Sequence, residues 1–117
     1  MFHLDAETAL AFAQVVVPSW RQERGCVILA RQFDAANFQQ WWESTGGDRR
    51  SIEAVLNHVH LWDVLPDTGE KDYLPLWNLG ELMVSSWEQS LKRAFPDRAF
   101  SVTLDDEYGP TIRATSD

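Results

Sequence analysis

The chain has 117 residues, with ten basic and eighteen acidic side chains and a formal net charge of −8. That length suits a single compact domain spanning residues 1–117, and a hydrophobic content of 44% excludes a disordered chain. The basic residues are scattered among acidic ones, so the clustered cations that a nucleic-acid surface needs are missing. No apolar run approaches the roughly 18–20 residues needed to cross a bilayer, so no membrane partner is expected. Met1-Phe2-His3-Leu4-Asp5 lacks the basic stretch of a secretion signal, and a cytoplasmic location is the expectation.

In chain order, Asp5 suits the N-cap of a first helix with Glu7 in its first turn. Ala9, Phe12, Ala13, Val16 and Trp20 would form its apolar stripe, with Pro18 kinking or ending it. The run Val15-Val16-Val17 suits a strand equally. Gly25 then opens a short strand through Arg31, whose continuous apolarity predicts cover on both faces. The lone cysteine, Cys26, lies in this run and reads as a buried, inert thiol.

Asp34 suits the cap of a second helix, flanked by Phe33 and Phe38 at the positions of a hydrophobic staple, and Gly46-Gly47 ends it. Asp48 would cap a third helix running to Trp62. Pro66-Asp67-Thr68-Gly69 is a turn, and the acidic loop to Asp72 falls short of calcium-loop spacing. Pro75 suits the first turn of a long fourth helix. Its stripe is Leu76, Leu79, Met83, Val84, Trp87, Leu91 and Ala94, and Gly80 in it would admit a close neighbour. Phe100–Leu104 and Thr111–Thr115 read as the strands of a terminal hairpin. The fold expected is α+β: about four helices on a small, mainly antiparallel three-stranded sheet, in the order α-β-α-α-α-β-β.

Candidate chemistry concentrates in residues 48–63, which hold His58 and His60. On a continuous helix, Ile52, Val55, Leu56, Val59 and Trp62 face the core. His58 and His60 then diverge by roughly 160°, too far to share a metal ion, so no metal site is expected. On a strand, by contrast, both imidazoles would point the same way and could chelate zinc or iron if a carboxylate joined them. The helical reading leaves Glu53, Asn57 and His60 as a polar ladder, beside Arg49, in which a carboxylate and an amide could orient a general base. The competing reading makes these groups ordinary surface pairs and backbone bonds. No nucleophile elbow or glycine-rich phosphate loop is present, and no cofactor is implied.

Trp41 and Trp42 are adjacent, so both cannot point to the centre of one core from a helix. Leu61 and Leu82 fall on otherwise polar helix faces. Together these suggest a surface for a protein partner or for self-association. A non-enzymatic interaction module is therefore the leading functional expectation. The alternatives are a small ligand-binding protein or enzyme using Arg49, Glu53, Asn57 and His60, and an acidic inhibitor or immunity-type partner of a basic protein.

Overall fold

The computed structural model describes residues 5–65 and 68–117, so the expectations for Met1 to Leu4 and for the Pro66-Asp67 half of the acidic turn lie outside the described residues. The architecture is α+β, with helices packed on two small antiparallel sheets. Among the described residues no helix is long and apolar enough to cross a membrane.

Helix α1 (Ala6–Val16) starts where the Asp5 carboxylate accepts a hydrogen bond from the Thr8 N–H at 2.7 Å. It stops before Pro18 instead of continuing to Trp20, which belongs to a strand. Strand β1 (Trp20–Glu23) pairs with β2 (Cys26–Leu29) across a turn made by Arg24 and Gly25. Both turn residues have positive φ, +48° and +83°, as a two-residue hairpin of right-handed twist requires. The expected single strand is therefore a hairpin. An arginine in the first turn position carries no turn signal, which is why β1 was hidden.

The apolarity of β2 has the predicted consequence. Val27 and Leu29 enter the main core, while Cys26 and Ile28 enter a second cluster with Phe38, Ile52 and Leu56. Burial, aided by the nearby Glu53 carboxylate, pushes the Cys26 thiol up to about 11, so it stays protonated at neutral pH.

Helix α2 (Ala35–Thr45) is capped by Asp34, which accepts from the Asn37 N–H at 2.8 Å. The Phe33 and Phe38 rings pack at 5.9 Å, and Gly46 at φ +65° closes the helix. Helix α3 (Arg49–Leu56) follows Asp48, whose carboxylate accepts from Ser51 Oγ at 2.6 Å instead of from a backbone N–H.

The expected helix to Trp62 is corrected here. The chain leaves α3 at Asn57, forms strand β3 (His58–His60), and makes one turn of helix α4 (Leu61–Val64). The long helix α5 (Tyr73–Ala94) and the hairpin of β4 (Phe100–Asp106) and β5 (Pro110–Ser116) complete the fold. The strand order of the second sheet is β3-β5-β4. Leu76, Met83, Trp87 and Leu91 of α5 are buried as predicted, whereas Ala94 is exposed. Gly80 permits a close approach: a Cβ there would stand 2.7 Å from Leu104 Cδ1. Side chains of α5 also take up the last carbonyls of α1. Trp87 Nε1 donates to Val15 O at 3.0 Å and Ser86 Oγ to Val16 O at 2.7 Å.

Two side chains of α3 join the sheets. The free edge of β2 offers the N–H groups of Val27 and Leu29 and the Val27 carbonyl, and β5 offers Ala114 O and Ser116 N–H. Glu53 accepts from Val27 N and Ser116 N, each at 2.7 Å, and from Ser116 Oγ at 2.8 Å. Asn57 accepts from Leu29 N at 2.8 Å and donates to Val27 O at 2.6 Å and Ala114 O at 3.2 Å. Both residues are essentially inaccessible to solvent. They stand where a strand between β2 and β5 would stand, and they replace its ladder bonds. Arg98 Nη2 donates to Ser116 Oγ at 3.0 Å and so fixes the direction of the Ser116 hydroxyl proton toward Glu53.

Asn57→Ala leaves three buried backbone groups without partners, each costing about 1–3 kcal/mol, so a loss of about 3–5 kcal/mol in urea unfolding is expected. Glu53→Gln sets an amide N–H against a backbone N–H whichever way the amide turns, because each carboxylate oxygen faces one N–H at 2.7 Å. A loss below about 1 kcal/mol for both variants would show that the two sheets do not depend on this bridge.

Candidate functional site

Strand β3 sets the geometry of the histidines. It pairs antiparallel with β5, His58 opposite Arg113 and His60 opposite Thr111. Residues two apart on a strand share a face, and the two imidazole centroids lie 4.8 Å apart at an interplanar angle of 75°. The helical expectation had put His58 on the far flank as a bystander. That placement is overturned, because β5 captures the chain at Asn57: Ala114 N donates to Asn57 O at 3.0 Å. Val59, on the opposite face, packs against the main core.

The hydrogen bonds define the tautomers. His58 Nδ1 lies 2.6 Å from the Val55 carbonyl, which can only accept, so Nδ1 carries the proton. His60 Nδ1 lies 2.8 Å from Thr111 Oγ1, whose own hydroxyl donates to Gly109 O at 3.0 Å. Thr111 must therefore accept, and His60 also carries its proton on Nδ1. In each neutral ring Nε2 is left as the basic nitrogen. Thr111 is fully buried, which holds the His60 ring in one orientation.

The β4–β5 turn closes over one side of this pair. Tyr108 packs edge-on against His60 at 5.2 Å and against Trp62 at 5.5 Å. Gly109, at φ +66°, lies flat on Trp62; a Cβ there would come within 2.8 Å of the indole. Glu107 pairs with Arg113 at 2.8 Å. That bond and the guanidinium charge hold the Glu107 carboxyl below its ordinary range, with smaller help from His58 and His60. Arg113 is fixed in turn by Nε donating to Ala54 O at 2.9 Å.

On the other side the histidines border a half-open cleft of about 590 Å³. One wall is the face of α1 formed by Thr8, Ala11, Phe12 and Val15, a spacing of three and four residues that keeps them in line. Val55, Leu56, Val59, Val64 and Leu65 supply further apolar surface. The polar lining is Arg31, Gln32, Asn37, His58, His60 and Asp63. The volume falls within the range of small-molecule sites, about 300–1,000 Å³.

The other sequence candidates are distributed differently. Glu53 and Asn57 are consumed by the bridge between sheets, so the ladder of Glu53, Asn57 and His60 does not form a site. Arg49 donates from Nη2 to Asp117 O at 3.0 Å, away from the cleft. Leu61 is fully buried in the main core and offers no surface, because the break before α4 turns it inward. Trp41 and Trp42 pack partly buried against the second cluster, Trp42 stacked on Phe38 at 6.0 Å and beneath Arg24 at 5.0 Å. Leu82 is exposed on α5. Among the described residues no three His, Cys, Asp or Glu side chains converge as metal ligands.

Arg31, Asn37, Asp63 and Thr111 were not legible as site residues. Only the alternative strand reading of His58-Val59-His60, with a β-branched residue between the histidines, pointed toward this face. No protein-family model matches the chain, and neither a curated protein nor a solved structure matches it.

The tautomer assignment has a direct readout. In nitrogen-15 spectra at a pH where both rings are neutral, Nε2 of each should show the shift of an unprotonated ring nitrogen. Thr111→Val removes the acceptor of His60 and should move that ring toward the Nε2–H form while leaving His58 unchanged. A wild-type His60 already protonated on Nε2 would contradict the network.

Proposed function

We propose that the protein is a small-molecule-binding protein whose ligand occupies the cleft between α1 and β3. The observation that carries this reading is a cleft of small-molecule size bordered by two histidines whose Nδ1 atoms are both committed, with apolar walls and a polar lining that includes Arg31, Gln32, Asn37 and Asp63. A fixed, oriented imidazole bordering an apolar cavity is suited to recognising a polar group on an otherwise apolar ligand, and to exchanging a proton with it.

A thermal-shift screen of small amphipathic compounds, followed by titration of the hits, tests the reading. Ala11 is exposed and lines the cleft, so Ala11→Trp fills the space without touching the core. Hits should bind wild type and lose at least about tenfold in affinity in Ala11→Trp, with an unchanged urea midpoint; tenfold corresponds to about 1.4 kcal/mol of lost contact. Hits that bind both proteins equally, or a screen without hits, would remove the support for a cleft ligand.

Self-association is the second reading, now resting on Leu82 together with Leu74. Leu74 and Leu82 project from the polar face of α5 at 66% and 69% exposure. Exposed leucines of this size favour contact with another surface when they adjoin. Sedimentation of wild type beside Leu82→Glu decides it: a concentration-dependent dimer that the variant abolishes supports the reading, and a monomer at all concentrations ends it.

A further inference from the structure

We infer that the ligand class of the cleft is a monocarboxylate with an apolar body, such as a medium-chain acid. The inference rests on the cleft-binding reading above and adds the chemistry of the head group. The first ground is charge. The chain carries −8, yet among the described residues the cleft lining contains one carboxylate, Asp63, against one guanidinium, Arg31. Among the described residues only Arg21 with Glu23 and Arg113 with Glu107 form ion pairs, so Arg31 is not neutralised by a protein carboxylate there. The lining therefore balances at zero before either imidazole takes up a proton, in a molecule that is otherwise strongly acidic.

The second ground is the histidine geometry. With Nδ1 of each ring committed as a donor to Val55 O or Thr111 Oγ1, a proton gained by either ring must go to Nε2. The protonated ring then offers Nε2–H as a charged donor to a carboxylate oxygen. Binding the anion thus favours uptake of one proton, shared between ligand and imidazole. Arg31 supplies a second, permanently charged fork for the same head group. Asp63 of α4 and Arg31 beyond β2 line the same cleft as the pair, and Glu107, Tyr108 and Arg113 of the hairpin stand beside it. Glu107, outside the lining, is already paired with Arg113, and among the described residues Asp63 is the one carboxylate of the lining.

The third ground is the walls. Phe12, Val15, Val55, Val64 and Leu65 offer an apolar surface continuous with the polar end, which suits an aliphatic or aromatic body.

The test compares decanoate, decanol and decylamine, each below its aggregation limit, by isothermal titration in two buffers of different ionisation enthalpy. Decanoate should bind at least tenfold more tightly than decanol and decylamine, with uptake of a measurable fraction of one proton. Arg31→Gln should weaken decanoate at least fivefold and leave decanol unchanged. His58→Gln combined with His60→Gln should abolish the proton uptake, and circular dichroism and the urea midpoint show whether that variant is folded. If it is not, Arg31→Gln and the buffer dependence of wild type still decide the question. Equal binding of all three probes, all lost in Ala11→Trp, keeps the cleft and overturns the carboxylate assignment. Decanoate binding without proton uptake overturns the role of the imidazoles and with it the inference. No binding of any probe overturns both this inference and the cleft reading.

Discussion

Everything in this fold depends on two polar side chains one helical turn apart. Glu53 and Asn57 are i and i+4 on α3, so they project in line and reach the open edges of β2 and β5 together. A strand edge buried without partners would cost several unpaired backbone groups. Here the pairing is supplied by a helix, which lets two short sheets behave as one surface with a core on each side. The arrangement also explains why a carboxylate and an amide can be fully buried in a small domain. Each of the oxygen and nitrogen atoms involved has a backbone or hydroxyl partner, and their number offsets the desolvation.

The bridge determines the candidate site as well. Asn57 cannot continue a helix while its side chain holds β2 and its carbonyl accepts from Ala114. The chain therefore extends at His58, and a three-residue strand is enough to turn both histidines to one face. Pairing with β5 then brings Thr111 beside His60 and the Tyr108 turn above it. A single feature, the end of α3, thus converts two histidines that helical geometry separates into a pair that shares a cleft. The same break sends Leu61 into the core, which removes it from any interaction surface.

Local signals were legible where the physics is local. Asp5 and Asp34 cap their helices, Phe33 and Phe38 pack as a staple, Gly46 closes a helix in the left-handed region, and Gly80 admits Leu104. The burial of both faces of β2, Cys26 to Leu29, followed from unbroken apolarity. What was not legible is equally physical. The Arg24-Gly25 turn lacks the residues that usually announce positive φ, so β1 was merged into its surroundings. The apolar spacing of Ile52, Val55, Leu56 and Val59 fits a helix one turn longer than the one that forms, because Val59 packs against the core from the strand as it would from a helix.

The sequence by itself determined the α+β class, the main helix starts, the terminal hairpin and the buried faces of β2 and α5. These rest on capping, turn chemistry and the period of apolar residues, all of which act within a few positions along the chain. Only the tertiary structure decided that Glu53 and Asn57 are the joint between sheets and not a catalytic ladder, and that His58 and His60 stand side by side. The reason is that both outcomes are settled by bonds to Val27, Leu29, Ala114 and Ser116, residues between 26 and 63 positions away in the chain. A polar residue on a helix reads the same whether its partner is water or the edge of a distant strand, and only the packed chain supplies that partner.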